Sequence, residues 1–158
     1  MHEKFAAMHT DPNASVRSGS QLGLLFRQIR DAMWARMERE LTQAGHDLSF
    51  SQYVTLKRLA DGDAGVSELA RVAYLHPGAM TRLLDKLEER GFIERIADPV
   101  DRRALRVRQT VRGREIWSDI HQCGLRVRQL ALQGLSEAEQ DPLLRLLDQV
   151  RGNLSDED

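Results

Sequence analysis

Between Gln21 and about Ala44, apolar residues recur three and four positions apart, at Leu22, Leu25, Phe26, Ile29, Met33, Trp34, Met37 and Leu41. Arg27, Arg30, Arg36 and Arg39 fill the other faces. The spacing predicts one long amphipathic helix, which Gly45 can end because glycine takes the left-handed cap conformation without strain. A shorter helix is predicted from Ser49 or Ser51 through Tyr53, Val54, Leu56 and Leu59 to the turn Asp61-Gly62-Asp63. Ser67 is placed to cap a third helix, running to Tyr74 with Leu69, Ala70 and Ala73 inward. Leu75-His76-Pro77-Gly78 then makes a turn, since the residue before a proline avoids the helical region and proline suits a helix's first turn. The next helix, Gly78 to Arg90, carries the stripe Met80, Leu83, Leu84 and Leu87 and stops at Gly91.

Past Gly91 the period falls from about 3.6 to 2. Phe92–Ile96 and Leu105–Gln109 alternate as strands do, and the polar stretch Asp98–Arg103 between them makes a β-hairpin. Helical spacing returns from Thr110 through Ile116, Ile120, Leu125, Leu130 and Leu132. A last helix has Ser136 and Glu139 at capping-box spacing, then Leu143, Leu146, Leu147 and Val150. Pro142 either kinks it or follows an Asp141 cap. Helix, tight turn, helix, then a hairpin with a basic tip is the winged helix-turn-helix plan, so the expected fold is mostly α with a small β-hairpin wing.

The 158-residue chain is 41% hydrophobic and 30% charged, an ordinary globular composition that can build a core without disulfides or a structural metal. Its one cysteine cannot form an internal bridge, which fits a reducing compartment. No apolar run approaches the ~18 residues of a membrane span. Met1–Gly19 holds only the short apolar run Phe5–Met8, without the core of a secretory signal, so a cytoplasmic location off the membrane is expected. The net charge of −1 argues at first against a nucleic-acid partner. It is a cancellation: residues 71–114 carry 11 basic and 6 acidic side chains, and residues 115–158 carry 4 and 9. All the basic residues except Lys4, Lys57 and Lys86 are arginine, which base-composition bias in the gene explains as well as guanidinium chemistry does.

A major groove about 12 Å wide admits one helix, whose N-terminal half meets base edges while its apolar stripe packs on the helix before it. On the Gly78–Arg90 helix the outward positions are His76, Gly78, Ala79, Thr81 and Arg82, with Asp85 and Lys86 further along. Arg82 can bond guanine bidentately or reach a phosphate, and Thr81 and Ala79 can meet a thymine methyl or a phosphate. Arg102 and Arg103 sit at the hairpin tip, where an arginine suits the negative potential of a narrow minor groove. Asp101 beside them either orients an arginine or braces the turn. Ser67 and Arg95 complete the candidate DNA-binding set. A helix with scattered arginines is most often only a solvated face. Here the basic helix and the basic hairpin adjoin across Gly91, and that spacing is the specific signal.

The run Val66-Ser-Glu-Leu-Ala, the run His76-Pro-Gly-Ala-Met-Thr-Arg-Leu-Leu-Asp-Lys-Leu-Glu-Glu-Arg-Gly-Phe-Ile-Glu-Arg and then Asp98-Pro-Val-Asp-Arg-Arg resemble the MarR family of bacterial transcriptional regulators. The specific motifs lie within Val66–Gly113, and the outline extends over about Gln21–Leu154. By resemblance Arg103 matches the wing arginine that enters the minor groove and Asp101 the acid paired near it. Thr81 and Arg82 match recognition-helix positions, and Gly113 the glycine after the second wing strand. Gln109 departs from the family's usual leucine, which bears on local packing. The resemblance also implies a homodimer joined through the first and last two helices, reading a pseudo-palindromic operator with half-sites about one turn (~10 base pairs) apart. Leu22–Leu41 and Leu143–Leu154 agree, carrying more apolar surface than a three-helix winged unit can cover. The expected parts are a flexible segment over 1–19, a dimerisation helix over 20–48, the winged DNA-binding unit over 49–112, C-terminal dimerisation helices over 113–154 and an acidic tail over 155–158.

Many members of that family release DNA when a small, often aromatic, anion binds between dimer body and winged unit. Trp34, Met37, Phe50 and Tyr53 are the candidate lining, although such residues at helical spacing are more often plain core. Some members sense oxidants through a cysteine; Cys123, with Arg126 nearby, is the one candidate, and a lone helical cysteine is usually an inert small hydrophobe. His2, His9, His46, His76 and His121 show no metal-site spacing, and no cofactor is expected. There is no phosphate loop, nucleophile elbow or paired carboxylate of a recognisable enzyme. The expectation is a non-enzymatic, sequence-specific regulator of double-stranded DNA, a repressor relieved by an aromatic or phenolic effector. The alternatives are a ligand-independent activator or anti-repressor, and a winged-helix adaptor that binds protein.

Overall fold

A computed structural model describes the chain from Pro12 to Ser155. Helix α1 (Pro12–Gln43) is followed by α2 (Phe50–Ala60), strand β1 (Ala64–Gly65), α3 (Val66–Val72), α4 (Pro77–Glu89), β2 (Ile93–Ala97), β3 (Leu105–Gln109), α5 (Val111–Ala131) and α6 (Glu137–Leu154). The three strands form one antiparallel sheet in the order β1-β3-β2. Arg95 faces Val107 across β2 and β3, and Ala64 faces Val107 from the other side.

Four details differ from the sequence reading. The flexible segment expected over 1–19 is in part helical, because α1 already begins at Pro12, where a proline lacks only an N–H that the first turn does not use. Its polar start, Asn13–Ser20, offered no apolar period to read. Residues 1–11 of that segment, and 156–158 of the tail, lie outside the described residues. Ser67 is not a cap: Gly65 holds that position with extended backbone, and Ser67 falls inside the first turn of α3. The wing is a three-stranded sheet rather than a hairpin alone, since β1 adds two residues to β3. Finally, Pro142 lies inside α6 and Asp141 does not cap it. Ser136 starts that helix, and the Glu139 carboxylate accepts its backbone N–H at 2.8 Å, which holds the Glu139 carboxyl below its ordinary range.

Other elements form as their local chemistry dictates. Ser49 caps α2 in a capping box with Gln52. The α4 stripe Met80, Leu83, Leu84 and Leu87 is buried with Leu56, Leu69, Ile93 and Val107. Where α5 begins, the Thr110 hydroxyl donates to Gly91 O at 2.6 Å and accepts the Gly113 N–H at 3.0 Å. This lays α5 so close to the wing that a Cβ on Gly113 would collide with the Phe92 carbonyl. Met37 and Leu41 of α1 join Ile120, Cys123 and Val127 of α5 in the same core.

The two ends of the chain are finished differently. Leu22, Leu25, Ile29 and Met33 of α1 are exposed, as are Leu144, Leu146, Leu147 and Leu154 of α6. No residue of α6 is buried within the chain. Among the described residues no helix is long and apolar enough to cross a membrane.

Candidate nucleic-acid interface

Helix α4 is held at its start by His76. The imidazole Nδ1 accepts the Ala79 N–H at 3.2 Å, so the ring's remaining Nε2–H is the part that faces outward. Gly78 is exposed and Ala79 half-buried, so of this pair only Gly78 lies fully open. Thr81 is exposed and its hydroxyl donates back to Pro77 O at 3.1 Å, leaving its methyl as the free group. Arg82 and Lys86 follow, both exposed.

The wing tip is built by two aspartates. Asp98 Oδ1 accepts the N–H groups of Val100 and Asp101, at 2.8 and 3.0 Å. The Asp101 and Val100 N–H groups, with Arg106 nearby, hold the Asp98 carboxyl below its ordinary range. Asp101 Oδ1 accepts the Arg103 N–H at 3.0 Å, so Asp101 braces the turn rather than orienting a guanidinium. Arg102 and Arg103 are thereby presented at the tip with both side chains exposed. The role of Asp98 is missing from the sequence reading, although an aspartate ahead of a proline is itself a turn signal.

Arg95 is paired within the fold. Its guanidinium lies 2.6 Å from Asp85 and 2.6 Å from Glu88, and it also donates to Thr81 O. A cation held by two carboxylates of α4 braces β2 against that helix. Asp63 acts likewise on the other side of the sheet: it bonds Arg108 at 3.0 Å, which raises the Arg108 pKa, and its carbonyl accepts from Arg106 at 2.7 Å.

The arginines of residues 71–114 therefore fall into two groups. Arg95, Arg106 and Arg108 pair with carboxylates, Arg90 and Arg114 donate to backbone carbonyls, and Arg90 and Arg112 stand over the Phe92 ring. Arg71, Arg82, Lys86, Arg102 and Arg103 are exposed, and none makes a side-chain hydrogen bond or ion pair among the described residues. The unpaired group lies on α3, the outer face of α4 and the wing tip.

Away from this surface, Trp34, Met37, Phe50 and Tyr53 do come together. They line a cavity of 420 Å³ with Phe26, Ile29, Arg30 and Met33, closed by Gly124 and Val127 of α5. Trp34 meets Phe50 edge-on at 5.0 Å, and burial pushes the Tyr53 phenol above its usual pKa. Met37 is at the same time part of the buried core. Cys123 is fully buried, and burial raises its thiol pKa although Arg126 lies 3.2 Å from Sγ. That is the environment of an inert thiol, not of a reactive thiolate.

Two helices in a tight turn, the second open along its outer face, beside a three-stranded sheet with a protruding basic tip, define a winged helix-turn-helix protein. Residues 48–105 match the sequence model of the MarR family. The chain is 27% identical over 109 residues to YybA, an HTH-type transcriptional regulator of Bacillus subtilis (strain 168), covering 68% of this chain and 73% of that one. A MarR mutant from E. coli in complex with operator DNA is 28% identical, with a TM-score of 0.70 over 82% of this chain and 93% of that one. A MarR family protein from Bacillus stearothermophilus is 26% identical, with a TM-score of 0.75 over 87% and 96%. Residues 48–105 thus carry the MarR-family pattern, and over most of its length the chain is similar to transcriptional regulators of that family.

Proposed function

We propose that the protein is a homodimeric repressor that binds a pseudo-palindromic operator in double-stranded DNA and lets go when a small aromatic ligand binds. The observation that carries the DNA reading is the sorting of cations. The arginines that brace the fold are paired, whereas Arg82, Lys86, Arg102 and Arg103 are exposed and unpaired on the two elements that a winged helix offers to DNA. In this reading α4 enters the major groove and the wing tip the adjacent minor groove. His76, Gly78, Thr81 and Arg82 face base edges or flanking phosphates, while Ala79, Asp101 and Arg95 act through the shape of their elements. The exposed leucines of α1 and α6 are the surface that a second copy covers.

The effector half of the proposal rests on the aromatic cavity. Its volume lies within the range of roughly 300–1,000 Å³ usual for small-molecule sites, and its walls are apolar with one cation, Arg30, at the rim. Because α1, α2 and α5 all contribute, a ligand there can favour one spacing of the two reader units over another, by as much as its affinities for the two states differ. Thermal-shift titration with phenolic acids tests this, and the expected result is stabilisation together with loss of operator binding.

The decisive experiment for DNA binding is Arg103→Ala. Operator affinity is expected to fall about tenfold or more while the dimer persists in solution. Unchanged affinity refutes the wing's place in the minor groove. Absence of any specific, salt-dependent binding by the wild type favours a protein-binding adaptor instead.

A further inference from the structure

We infer that Tyr74, with Ser67 and Arg71 beside it, clamps a phosphodiester of the DNA backbone that borders the groove entered by α4. The inference rests on the DNA-binding reading above.

Three helices of this chain end in the same hydrogen-bonded turn. At α1, His46 N–H bonds Leu41 O at 2.8 Å and Gly45 N–H bonds Thr42 O at 3.0 Å. At α4 the pairs are Phe92 to Leu87 O, 3.0 Å, and Gly91 to Glu88 O, 2.8 Å. At α3 they are Leu75 to Ala70 O, 2.9 Å, and Tyr74 to Arg71 O, 3.1 Å. In each, the residue past the cap must turn left-handed: φ is +82° at Gly45, +75° at Gly91 and +53° at Tyr74. Glycine does this freely, and a bulky aromatic does it against the steric demand of its Cβ. Tyr74 is the one non-glycine residue with positive φ among the described residues. Its side chain is 92% exposed, so neither the core nor the turn makes use of the ring.

What the ring does is set by its surroundings. Tyr74 lines a shallow groove with Ser67, Arg71, Leu75 and Pro77, and no acidic residue lines it. Glu68, on the same helix, is tied to Arg58 at 2.7 Å. The Ser67 hydroxyl, the Arg71 guanidinium and the Tyr74 phenol make no side-chain hydrogen bond among the described residues. Three donor side chains along one groove without an acid suit the oxygens of a phosphate. The place is also right, because the turn lies two residues ahead of His76, the cap of α4. When the N-terminal half of a recognition helix occupies the major groove, the helix before it crosses the bordering backbone.

The test uses an operator duplex selected by the wild-type protein from a random-sequence library. Affinities of Tyr74→Gly, Tyr74→Phe and Arg71→Ala are measured against it over a range of salt. Tyr74→Gly is expected to bind about tenfold more weakly, yet to melt no lower than wild type, since glycine fits the turn and no buried surface is lost. Tyr74→Phe shares the loss with an unchanged salt slope, because a neutral hydroxyl displaces no counterion. Arg71→Ala lowers the log–log slope by about 0.9 per half-site. Wild-type affinity in Tyr74→Phe overturns the clamp, whatever Tyr74→Gly does, and leaves the regulator reading intact. Failure of the wild type to enrich any duplex overturns both.

Discussion

One absent methyl group sets how closely α5 approaches the wing. A side chain at Gly113 would occupy the space of the Phe92 carbonyl, which itself accepts the Thr110 N–H at 3.1 Å and so cannot swing away without loss. Gly113→Ala is expected to cost about 3 kcal/mol by chemical denaturation, the scale of a forced backbone shift. A stability within 0.5 kcal/mol of wild type, the ordinary scatter of neutral surface changes, would show that the helix can slide. Gln109 presents the opposite case, where an unexpected residue is accommodated: its side chain is buried and Nε2 donates to Leu56 O at 3.2 Å, so the polar group is satisfied. Glu40 is the residue through which pH reaches the α1–α5 contact. Arg126 bonds its carboxylate at 2.7 Å and Arg36 adds a second contact at 3.1 Å, and the Arg126 hydrogen bond foremost holds the carboxyl below its ordinary 4.5. A folded pKa lower than the unfolded one means stability that is in place above that value and is lost as pH falls through the folded one. Glu40→Gln should therefore melt lower than wild type at neutral pH, with the difference shrinking below about pH 4. A difference that stays constant across that window would place the effect in packing, not in charge.

At the scale of elements, Arg95 ties α4 to the wing, so the two elements proposed to meet DNA are held together. Arg95→Ala keeps the backbone N–H to Glu88 but removes the guanidinium from Asp85 and Glu88, leaving those two acids uncompensated beside the proposed DNA-facing surface. Operator affinity should fall roughly tenfold with the log–log salt slope nearly unchanged. A phosphate ligand would instead take about 0.9 per half-site from the slope, and that result would restore Arg95 to the contact set. The sequence alone places Arg95 among the DNA contacts, since a lone arginine on a strand carries no sign of which acids stand opposite it. Features written within a few residues are legible: the Ser49 and Ser136 starts, the ends at Gly45 and Gly91, the four-residue stripe of α4 and the alternation of β2 and β3. Features defined by distant partners are not. β1 is two residues long and exists only through Val107 and Arg106, and that pairing leaves Gly65 rather than Ser67 as the cap of α3. The candidate ligand residues gather because the Trp34 ring of α1 meets Phe50 and Tyr53 of α2, while the turn geometry settles which of its two readings Asp101 takes.

For the whole molecule, the near-zero net charge conceals a basic reader and an acidic C-terminal third, a polarity that orients the body away from DNA on approach. In the proposed dimer two readers are yoked, and no residue of α6 is buried within its own chain. Leu147 sits in the middle of the stripe Leu143, Leu147, Val150 and Leu154, so Leu147→Glu places a charge where the proposed second copy packs. Light scattering is expected to report a monomer whose helical signal is largely kept. Operator affinity then collapses, because the second half-site is no longer delivered at high effective concentration. The salt dependence gives an independent measure. The five unpaired cations on α3, α4 and the wing tip of each subunit set a ceiling of about 9 on the dimer's log–log slope and about 4.5 on the monomer's, at 0.9 per phosphate met. A variant that stays dimeric would move the interface off α6. A monomer that keeps the full dimer slope would mean that each reader already meets every phosphate alone, and that two-fold symmetry contributes nothing to how this protein holds its site.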